Sequence, residues 1–213
     1  MRAFIAIDLP DDIRQALAGK MEEFRHTLGH ADLPKSQRDS SIRWSRLEGI
    51  HLTLKFLGEI ADTQVDRVTS ALSALEPFEK FYIQVKGFGF FPGAARPRVF
   101  WAGINAPPAL IQLAGRIEDK MEGLGFTHES RDYNPHLTLA RFTSPRPQPT
   151  LRALVEEQKE LSLGRFEVGS YFLFESKLSP EGSKYRKVVR FPQIARGLFA
   201  VENNQGATSE SID

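Results

Sequence analysis

The tetrapeptide His-Leu-Thr-Leu occurs twice in this chain, beginning at His51 and at His136. In a β-strand, alternate side chains point to opposite faces, so each histidine shares a face with the threonine two residues later. A lone histidine on a half-exposed strand is most often just a solvated residue. His and Thr recur here at matching positions of two similarly arranged halves, which predicts two polar pairs facing one cleft.

Two imidazoles at one site suit acid–base cleavage of a phosphodiester. Histidine titrates near pH ~6.5, so one ring can carry a proton while the other is neutral. The first ring then protonates the leaving oxygen, and the second accepts a proton from the nucleophile on the opposite side of phosphorus. The hydroxyls of Thr53 and Thr138 can hold the non-bridging oxygens, and an arginine can neutralise their charge.

Other chemistries find little support in the residue pattern. The chain has no cysteine, which excludes disulfides, thiolate metal sites and cysteine nucleophiles. Neither histidine motif has a second ligand at the spacing of known metal sites, and no Gly-x-Ser-x-Gly or phosphate-loop motif occurs. No cofactor and no metal ion are therefore expected.

Composition and charge indicate an ordinary soluble protein. Of the 213 residues, 41% are hydrophobic and 26% are charged, and the net charge of +1 favours only local contacts with nucleic acid. No segment approaches the ~20 apolar residues of a membrane helix, and no signal peptide is recognised. A cytoplasmic monomer is expected, with one domain over residues 1–199 and a disordered tail over 200–213.

The elements around the two motifs repeat in order. Each half of the chain contains a helix, a strand with His-Leu-Thr-Leu, a second helix and a pair of strands. Continuous extended segments are predicted over residues 42–60 and 164–176. Short connections within the strand pairs predict antiparallel sheets. The predicted fold class is α+β, with two pseudo-symmetric lobes, each an antiparallel sheet with helices on its outer face, and a cleft between them.

Several stretches together resemble one known family. They are RAFIAIDLP, IHLTLKFLGE, FPGAARPRVFWAGI, NPHLTLARF and FLFESKLSPEGSKYR, in this order along residues 2 to about 191. The set is similar to the 2H phosphoesterase superfamily and its bacterial branch, the RNA 2',3'-cyclic phosphodiesterases, also called 2'-5' RNA ligases. A single His-x-Thr-x motif would be weak evidence, whereas this ordered set is specific.

The resemblance implies a reaction and its residues. RNA ending in a 2',3'-cyclic phosphate would be opened by water to a 2'-phosphate without a metal ion. His51 matches the proton donor and His136 the proton acceptor. The other matches are the phosphate-holding Thr53 and Thr138, a phosphate-contacting Arg141, and Phe56, which can stack on the terminal base.

Alternatives remain open at this stage. The chain could be a non-catalytic module that binds nucleotides or RNA ends, or an enzyme for a small substrate such as ADP-ribose cyclic phosphate. Because the chemistry is reversible, 2'-5' ligation is a possible side reaction. Phe56 could equally pack in the core, where Trp44 and Trp101 are also expected. Strict alternation puts Arg141 and Phe56 on the buried face, so their predicted roles require a twist or bulge after the motif.

Overall fold

The computed structural model describes residues 1–30, 42–144, 146–179 and 182–192. The predicted tail, 200–213, and the last seven residues of the predicted domain lie outside these ranges. The described strands are β1 (Arg2–Ile7), β2 (Ile42–Trp44), β3 (Leu52–Glu59), β4 (Phe81–Phe91), β5 (Val99–Asn105), β6 (His136–Phe142), β7 (Ser162–Val168), β8 (Tyr171–Ser179) and β9 (Gly182–Phe191). The α-helices are α1 (Asp11–His30), α2 (Asp62–Ser73), α3 (Pro108–Glu122) and α4 (Pro149–Glu157).

The strands form one antiparallel sheet in the order β7-β4-β5-β6-β3-β1-β8-β9, with β2 paired to β6. Its centre is narrow, because β3 and β6 pair only between Leu52 and Leu137. We call the strands β3, β1, β8 and β9 the His51 lobe, and β6, β5, β4, β7 and β2 the His136 lobe. The α+β class is confirmed, although the two predicted sheets are continuous at this central residue pair.

The four helices pack on the sheet according to lobe. Helices α2 and α3 contact strands of the His51 lobe, while α1 and α4 contact strands of the His136 lobe. Apolar side chains recur along each helix at the 3.6-residue period, as in Ile13, Leu17, Met21 and Phe24 of α1, all of which are buried. The leucines of both repeated motifs are buried in the same core. The opposite face of the sheet is therefore available for the histidines.

Two predicted strands are wrong in detail. The segment 42–60 is broken by a 3-10 turn at Leu47–Gly49, and the segment 164–176 is two strands separated at residues 169–170. These two strands, β7 and β8, belong to different lobes. Alternating apolar residues predict extended chain, but they do not show where a strand leaves one sheet edge for another.

The lobes also exchange chain segments. The strand pair β4 and β5 follows the first motif in sequence but lies beside the second motif, and β8 and β9 extend the sheet of the first. Helix α1 follows β1 of the His51 lobe yet packs against β7 of the His136 lobe. Each lobe is therefore built from both halves of the chain, and the lobes cannot be separated by cutting the chain at its middle.

Candidate active site

The central residue pair brings the two motifs together. Because β3 and β6 are antiparallel and Leu52 pairs with Leu137, His51 is aligned with Thr138 and Thr53 with His136. Both leucines are fully buried. Their neighbours along each strand therefore point to the opposite face, where all four His and Thr residues are half-buried. The arrangement has an approximate two-fold axis between the leucines.

A β-bulge follows the motif in β6. Trp101 pairs with Thr138 and Phe100 pairs with Ala140, so Leu139 between them has no partner on β5. Leu139 and Ala140 are both buried, and Arg141 is exposed. The extra residue shifts the alternation by one position and turns Arg141 to the face of His136 and Thr138.

The same irregularity occurs in β3. Thr53 pairs with Ala6 and Lys55 with Ile5, so Leu54 is the unpaired residue. Phe56 consequently reaches the sheet face that carries the two His and two Thr residues, here called the cleft face, where it pairs with Phe4 and is 65% exposed. Core packing of Phe56 is thus excluded, and strict alternation fails at the fourth residue of each motif. Phe56 and Arg141 occupy equivalent positions, five residues after their histidines.

The His51 ring lies among aromatic side chains. It stacks on Phe4 at 4.4 Å between ring centroids, meets Tyr185 edge-on at 5.2 Å and lies 5.9 Å from Phe174. This burial lowers the pKa of His51 to about 4, although a backbone hydrogen bond with Gly49 and the charge of Asp8 act in the opposite direction. In the free protein His51 is therefore mostly neutral at pH 7.

Arg14 of α1 holds the chain that leads into His51. Its guanidinium donates hydrogen bonds to the carbonyl oxygens of Leu9 at 3.2 Å and Ile50 at 3.1 Å, and it also bonds the carbonyl of Leu47. It forms an ion pair with Asp8, which also pairs with Lys187 of β9. The residue before His51 is thus fixed from the N-terminal turn of a helix. No motif in the sequence predicted this role.

His136 is oriented by the backbone of the loop that precedes it. Its Nδ1 lies 2.8 Å from the carbonyl oxygen of Asn134, so Nδ1 carries the hydrogen and Nε2 is directed away. Phe91 contacts the ring edge-on at 4.9 Å. Burial lowers the pKa of His136, and the positive charge of Arg141 lowers it further. Both histidines therefore share a backbone hydrogen bond two residues upstream and a lowered pKa.

The loop before His136 is anchored to the first motif. Tyr133 donates a hydrogen bond from its hydroxyl to the carbonyl oxygen of Thr53 at 2.9 Å. Lys55, buried below the sheet, donates to the carbonyl of Thr127 at 2.6 Å and pairs with Glu118 of α3. Because these contacts join β3 to the segment that enters β6, they fix the position of one motif relative to the other.

Positive charge is concentrated beside the motifs. Arg141 lowers the pKa of both His51 and His136, so its charge acts on both rings. Arg43 of β2 lies directly opposite Arg141 in the sheet. Two like charges across a strand pair are unfavourable unless an anion lies between or near them. Arg131, also near the motif in sequence, is instead 83% exposed and pairs with Glu129.

Trp101 is not a core residue as expected. It is half-buried and pairs with Thr138 across β5 and β6, which places it on the cleft face. Within the described ranges, no three His, Asp or Glu side chains gather in the way that a metal ion requires. Among the helices of the described residues, none is long and apolar enough to span a membrane.

Comparison with known proteins identifies the family. The profile of the 2'-5' RNA ligase superfamily matches residues 9–177. The chain belongs to this superfamily. The resemblance read from the sequence is thereby confirmed.

Curated relatives of the superfamily cover most of the chain. A protein of Archaeoglobus fulgidus named RNA 2',3'-cyclic phosphodiesterase is 31% identical over 186 residues, which are 87% of this chain and 97% of that one. Its namesake from Thermotoga maritima is 28% identical over 202 residues, 93% of this chain and 98% of that one. Both alignments are nearly end to end, so they span the segments of this chain that hold the two motifs and the strands of both lobes.

Solved structures of other proteins share the fold. A crystal structure of a Thermus thermophilus protein superposes with a TM-score of 0.70 at 26% identity, covering 90% of this chain and 97% of that one. Escherichia coli LigT complexed with NADP+ superposes with a TM-score of 0.64 at 25% identity, covering 89% of this chain and 95% of that one.

Proposed function

We propose that this protein hydrolyses 2',3'-cyclic phosphates at RNA 3' ends and leaves a 2'-phosphate. The observation that carries the proposal is the register at Leu52 and Leu137, which aligns each histidine with the threonine of the other motif on one face. The names of the curated relatives support the same cyclic phosphodiester chemistry. The substrate class is therefore an RNA end, held mainly by its terminal nucleotide.

In the proposed reaction, water attacks phosphorus in line with the bond to the ribose 3'-oxygen. His136 accepts the proton of the attacking water, and His51 donates a proton to the leaving 3'-oxygen. The P–O3' bond breaks and a new P–O bond from water replaces it, so the phosphate stays on the 2'-oxygen. The Nδ1 hydrogen bond to Asn134 leaves Nε2 of His136 as the proton acceptor.

The phosphoryl oxygens require balancing positive charge and hydrogen bonds. Thr53 and Thr138 are the proposed hydroxyl donors, and their position on the cleft face beside the histidines supports this role. Arg141, whose charge reaches both imidazoles, is the proposed electrostatic partner of the pentacoordinate transition state. No step of this mechanism requires a metal ion, because His51 protonates the leaving oxygen directly.

The lowered pKa of His51 favours catalysis at acidic pH. His51 must be protonated to act as donor, and its lowered pKa moves the alkaline limb of kcat/KM below pH 6.5. A bound phosphodiester brings negative charge next to both rings, which raises the pKa of His51 in the complex. The alkaline limb of kcat should therefore lie at higher pH than that of kcat/KM.

Phe56 is the proposed contact for the terminal base. Its ring is 65% exposed, lies 6.1 Å from the Phe4 ring and shares the cleft face with His51. An exposed aromatic ring stacks on any base, so this contact would provide affinity with little base preference.

The deciding experiment is incubation with a short RNA that ends in a 2',3'-cyclic phosphate, followed by identification of the product terminus. A 2'-phosphate end, formed equally with and without EDTA, is the expected result. Loss of activity in EDTA would contradict the metal-independent mechanism. Binding of 2'-AMP with no turnover of any cyclic phosphate would favour a non-catalytic binding module.

Substrate size is tested in the same assay. A cyclic mononucleotide and ADP-ribose cyclic phosphate are compared with the oligonucleotide at equal concentration. Higher kcat/KM for the oligonucleotide is expected, since only it offers nucleotides beyond the terminal one. The reverse order would identify a small cyclic nucleotide as the substrate class.

A further inference from the structure

Arg43 and Arg141 lie directly opposite each other on the neighbouring strands β2 and β6. A backbone hydrogen bond of 2.8 Å from the N–H of Ser45 to the carbonyl oxygen of Leu139 continues this pairing. Directly opposite residues of an antiparallel pair point to the same face, with Cα atoms about 4.5–5.5 Å apart. The two guanidinium groups therefore share one face of the sheet.

The neighbours of Arg43 show which face this is. Ile42 and Trp44 pack against the hydrophobic core, where the indole of Trp44 meets Phe100 edge-on at 6.0 Å between ring centroids. Because side chains alternate along a strand, Arg43 points to the opposite face, which is the cleft face. Arg43 and Arg141 are both exposed there.

The charges of these two arginines are not balanced by carboxylates. Several other arginines form ion pairs, as Arg25 does with Glu22 and Arg186 with Glu175. Neither member of the opposed pair has such a partner among the residues that the structure describes. Like charges directly opposite on a strand pair are destabilising, and departures from such local rules are expected at functional sites. An anionic ligand would relieve the repulsion.

One arginine is sufficient for the phosphate that reacts. A 2',3'-cyclic phosphate carries a single negative charge, which Arg141 can balance while the threonine hydroxyls bond the free oxygens. Arg141 acts on the pKa of both imidazoles, whereas Arg43 is not among the described charges that act on either. The guanidinium of Arg43 therefore lies farther from the reacting phosphate, where a second negative charge of the substrate can meet it.

The terminal nucleotide of an RNA offers that second charge. Its ribose carries the cyclic phosphate on C2' and C3', the base on C1' and the 5'-phosphate beyond C4', so the base and the 5'-phosphate leave the ring in different directions. Phe56, the proposed base contact, and Arg43 lie on opposite sides of the central pair of Leu52 and Leu137. The arrangement therefore matches a nucleotide whose base and 5'-phosphate lie at opposite ends of the site.

We propose that Arg43 binds the 5'-phosphate of the terminal nucleotide, the group that links it to the rest of the RNA, while Arg141 holds the cyclic phosphate. This inference rests on the proposed function. A guanidinium can bind two phosphate oxygens in one fixed geometry, so the contact favours a nucleotide with a 5'-phosphate over one with a free 5'-hydroxyl. A phosphate contact carries no base information, so this preference is independent of sequence.

The test compares two small substrates that differ only at the 5' position. The first is adenosine 2',3'-cyclic phosphate with a free 5'-hydroxyl, and the second carries a 5'-phosphate methyl ester, which has the single charge of an internucleotide phosphate. The methyl phosphate should raise kcat/KM roughly tenfold, as expected for one charge-assisted contact. Arg43→Gln should bring the ratio of the two kcat/KM values close to one.

Two further variants make the ratio specific to this contact. Arg43→Lys keeps the charge but not the fork of parallel N–H donors, so it should give an intermediate ratio, and it serves if the glutamine variant does not fold. Arg152→Gln removes the same charge from an exposed position on α4, on the helix side of the sheet, and should leave the ratio unchanged. A change that slows both substrates equally does not alter the ratio. A wild-type ratio near one, or a ratio that both Arg43 variants leave unchanged, would overturn the subsite.

A binding measurement separates this inference from the proposed function. Calorimetric titration compares 2'-AMP with the same nucleotide carrying the 5'-phosphate methyl ester, and it requires no turnover. The second ligand should bind more tightly to the wild-type protein, and Arg43→Gln should remove the difference. That result without hydrolysis of any cyclic phosphate would support the subsite and contradict the hydrolase. Hydrolysis by a protein that binds both ligands equally would overturn the subsite and leave the hydrolase intact.

Discussion

The surroundings of His51 and His136 differ although the two tetrapeptides are identical. The His51 ring is packed against three aromatic rings, and its pKa falls to about 4. His136 touches one aromatic ring, Phe91, and adjoins an open cavity. A motif therefore specifies which group is present, while the neighbouring strands specify its protonation and its access to solvent.

The two histidines also differ in how they are held. Arg14, reaching from a helix, bonds the carbonyl groups of Leu47 and Ile50 in the chain that enters β3. The loop that enters β6 is held to β3, because Tyr133 bonds the carbonyl of Thr53 and Lys55 bonds the carbonyl of Thr127. Substitutions at the histidines, at Arg141 and at Arg14 separate these contributions, and their expected effects decrease in that order.

Substitution of either histidine should have the largest effect. His51→Ala and His136→Ala should each reduce kcat for cyclic phosphate opening by about 10²–10⁴, because each removes one proton-transfer group. His128→Ala is the matched control, since that side chain is 49% exposed and pairs with Glu122. Steady-state kinetics on cyclic-phosphate RNA measures the effect. Full activity in either motif variant would refute the acid–base pair.

Substitution of Arg141 should act on both histidines at once. Arg141→Ala should lower kcat/KM roughly 10- to 100-fold through loss of a charge-assisted contact to phosphate. The Arg141 charge lowers the pKa of both rings, so its removal should also move both limbs of the pH profile to higher pH.

Arg131→Ala is the control for this variant, because Arg131 is exposed and already paired with Glu129. A shift of only one limb would show that Arg141 acts on a single histidine. Equal activity of the Arg131 and Arg141 variants would show that Arg141 does not contribute to catalysis.

Substitution of Arg14 should affect the position and the pKa of His51 but not those of His136. Arg14→Ala should lower kcat roughly tenfold with little change in KM, since the donor is displaced while the substrate contacts remain. The positive charge of Arg14 lowers the pKa of His51, so its loss should raise the limb assigned to His51 and leave the His136 limb in place.

Arg25→Ala on the same helix is the control, because Arg25 is an exposed partner of Glu22. Circular dichroism checks that the variants remain folded. A loss of activity with an unchanged pH profile would indicate a purely structural role for Arg14.

The smallest expected effect is the contribution of His51 to the pH dependence of the free energy of unfolding. His51 has a folded pKa of about 4, below the ~6.5 of an unfolded chain, so the unfolded state binds the proton first as pH falls. This contribution to stability is fully present above pH ~6.5 and is lost between there and pH ~4.

Denaturant unfolding at pH 7 and pH 5 measures the loss, expected at about 1–3 kcal/mol for His51. His51→Gln should flatten that slope. His136, whose pKa is also lowered, keeps a part of the slope in the His51 variant. An unchanged slope in His51→Gln would show that the ring is solvated in solution.

Much of the fold could be predicted from residue patterns. The sequence predicted two helices in each half of the chain, and the described residues contain them, because burial of one helix face produces a local periodic signal. The errors fall where the signal is not local. The strand expected over 164–176 is divided between two lobes, and the strand expected over 42–60 is interrupted by a turn.

The predicted site residues show a similar division. The histidines, threonines and buried leucines follow from the strand period. The faces of Arg141 and Phe56 do not, because each depends on a bulge whose extra residue is defined by the partner strand. Trp101 was expected in the core because an aromatic residue in an alternating strand does not indicate which face of the sheet is open.

The amino-acid sequence is sufficient to specify the chemical groups, which are two histidines, two threonines and the arginine that follows the second motif. In both motifs the alternation of side chains also buries leucine on one face. It also carries enough likeness to assign the superfamily. Tertiary structure alone pairs Leu52 with Leu137, rotates Arg141 into the cleft and brings Arg14 to the chain before His51. The reason is physical, since strand order, register and bulges are set by contacts between residues far apart in the chain, whereas periodicity records only the immediate neighbours of each residue.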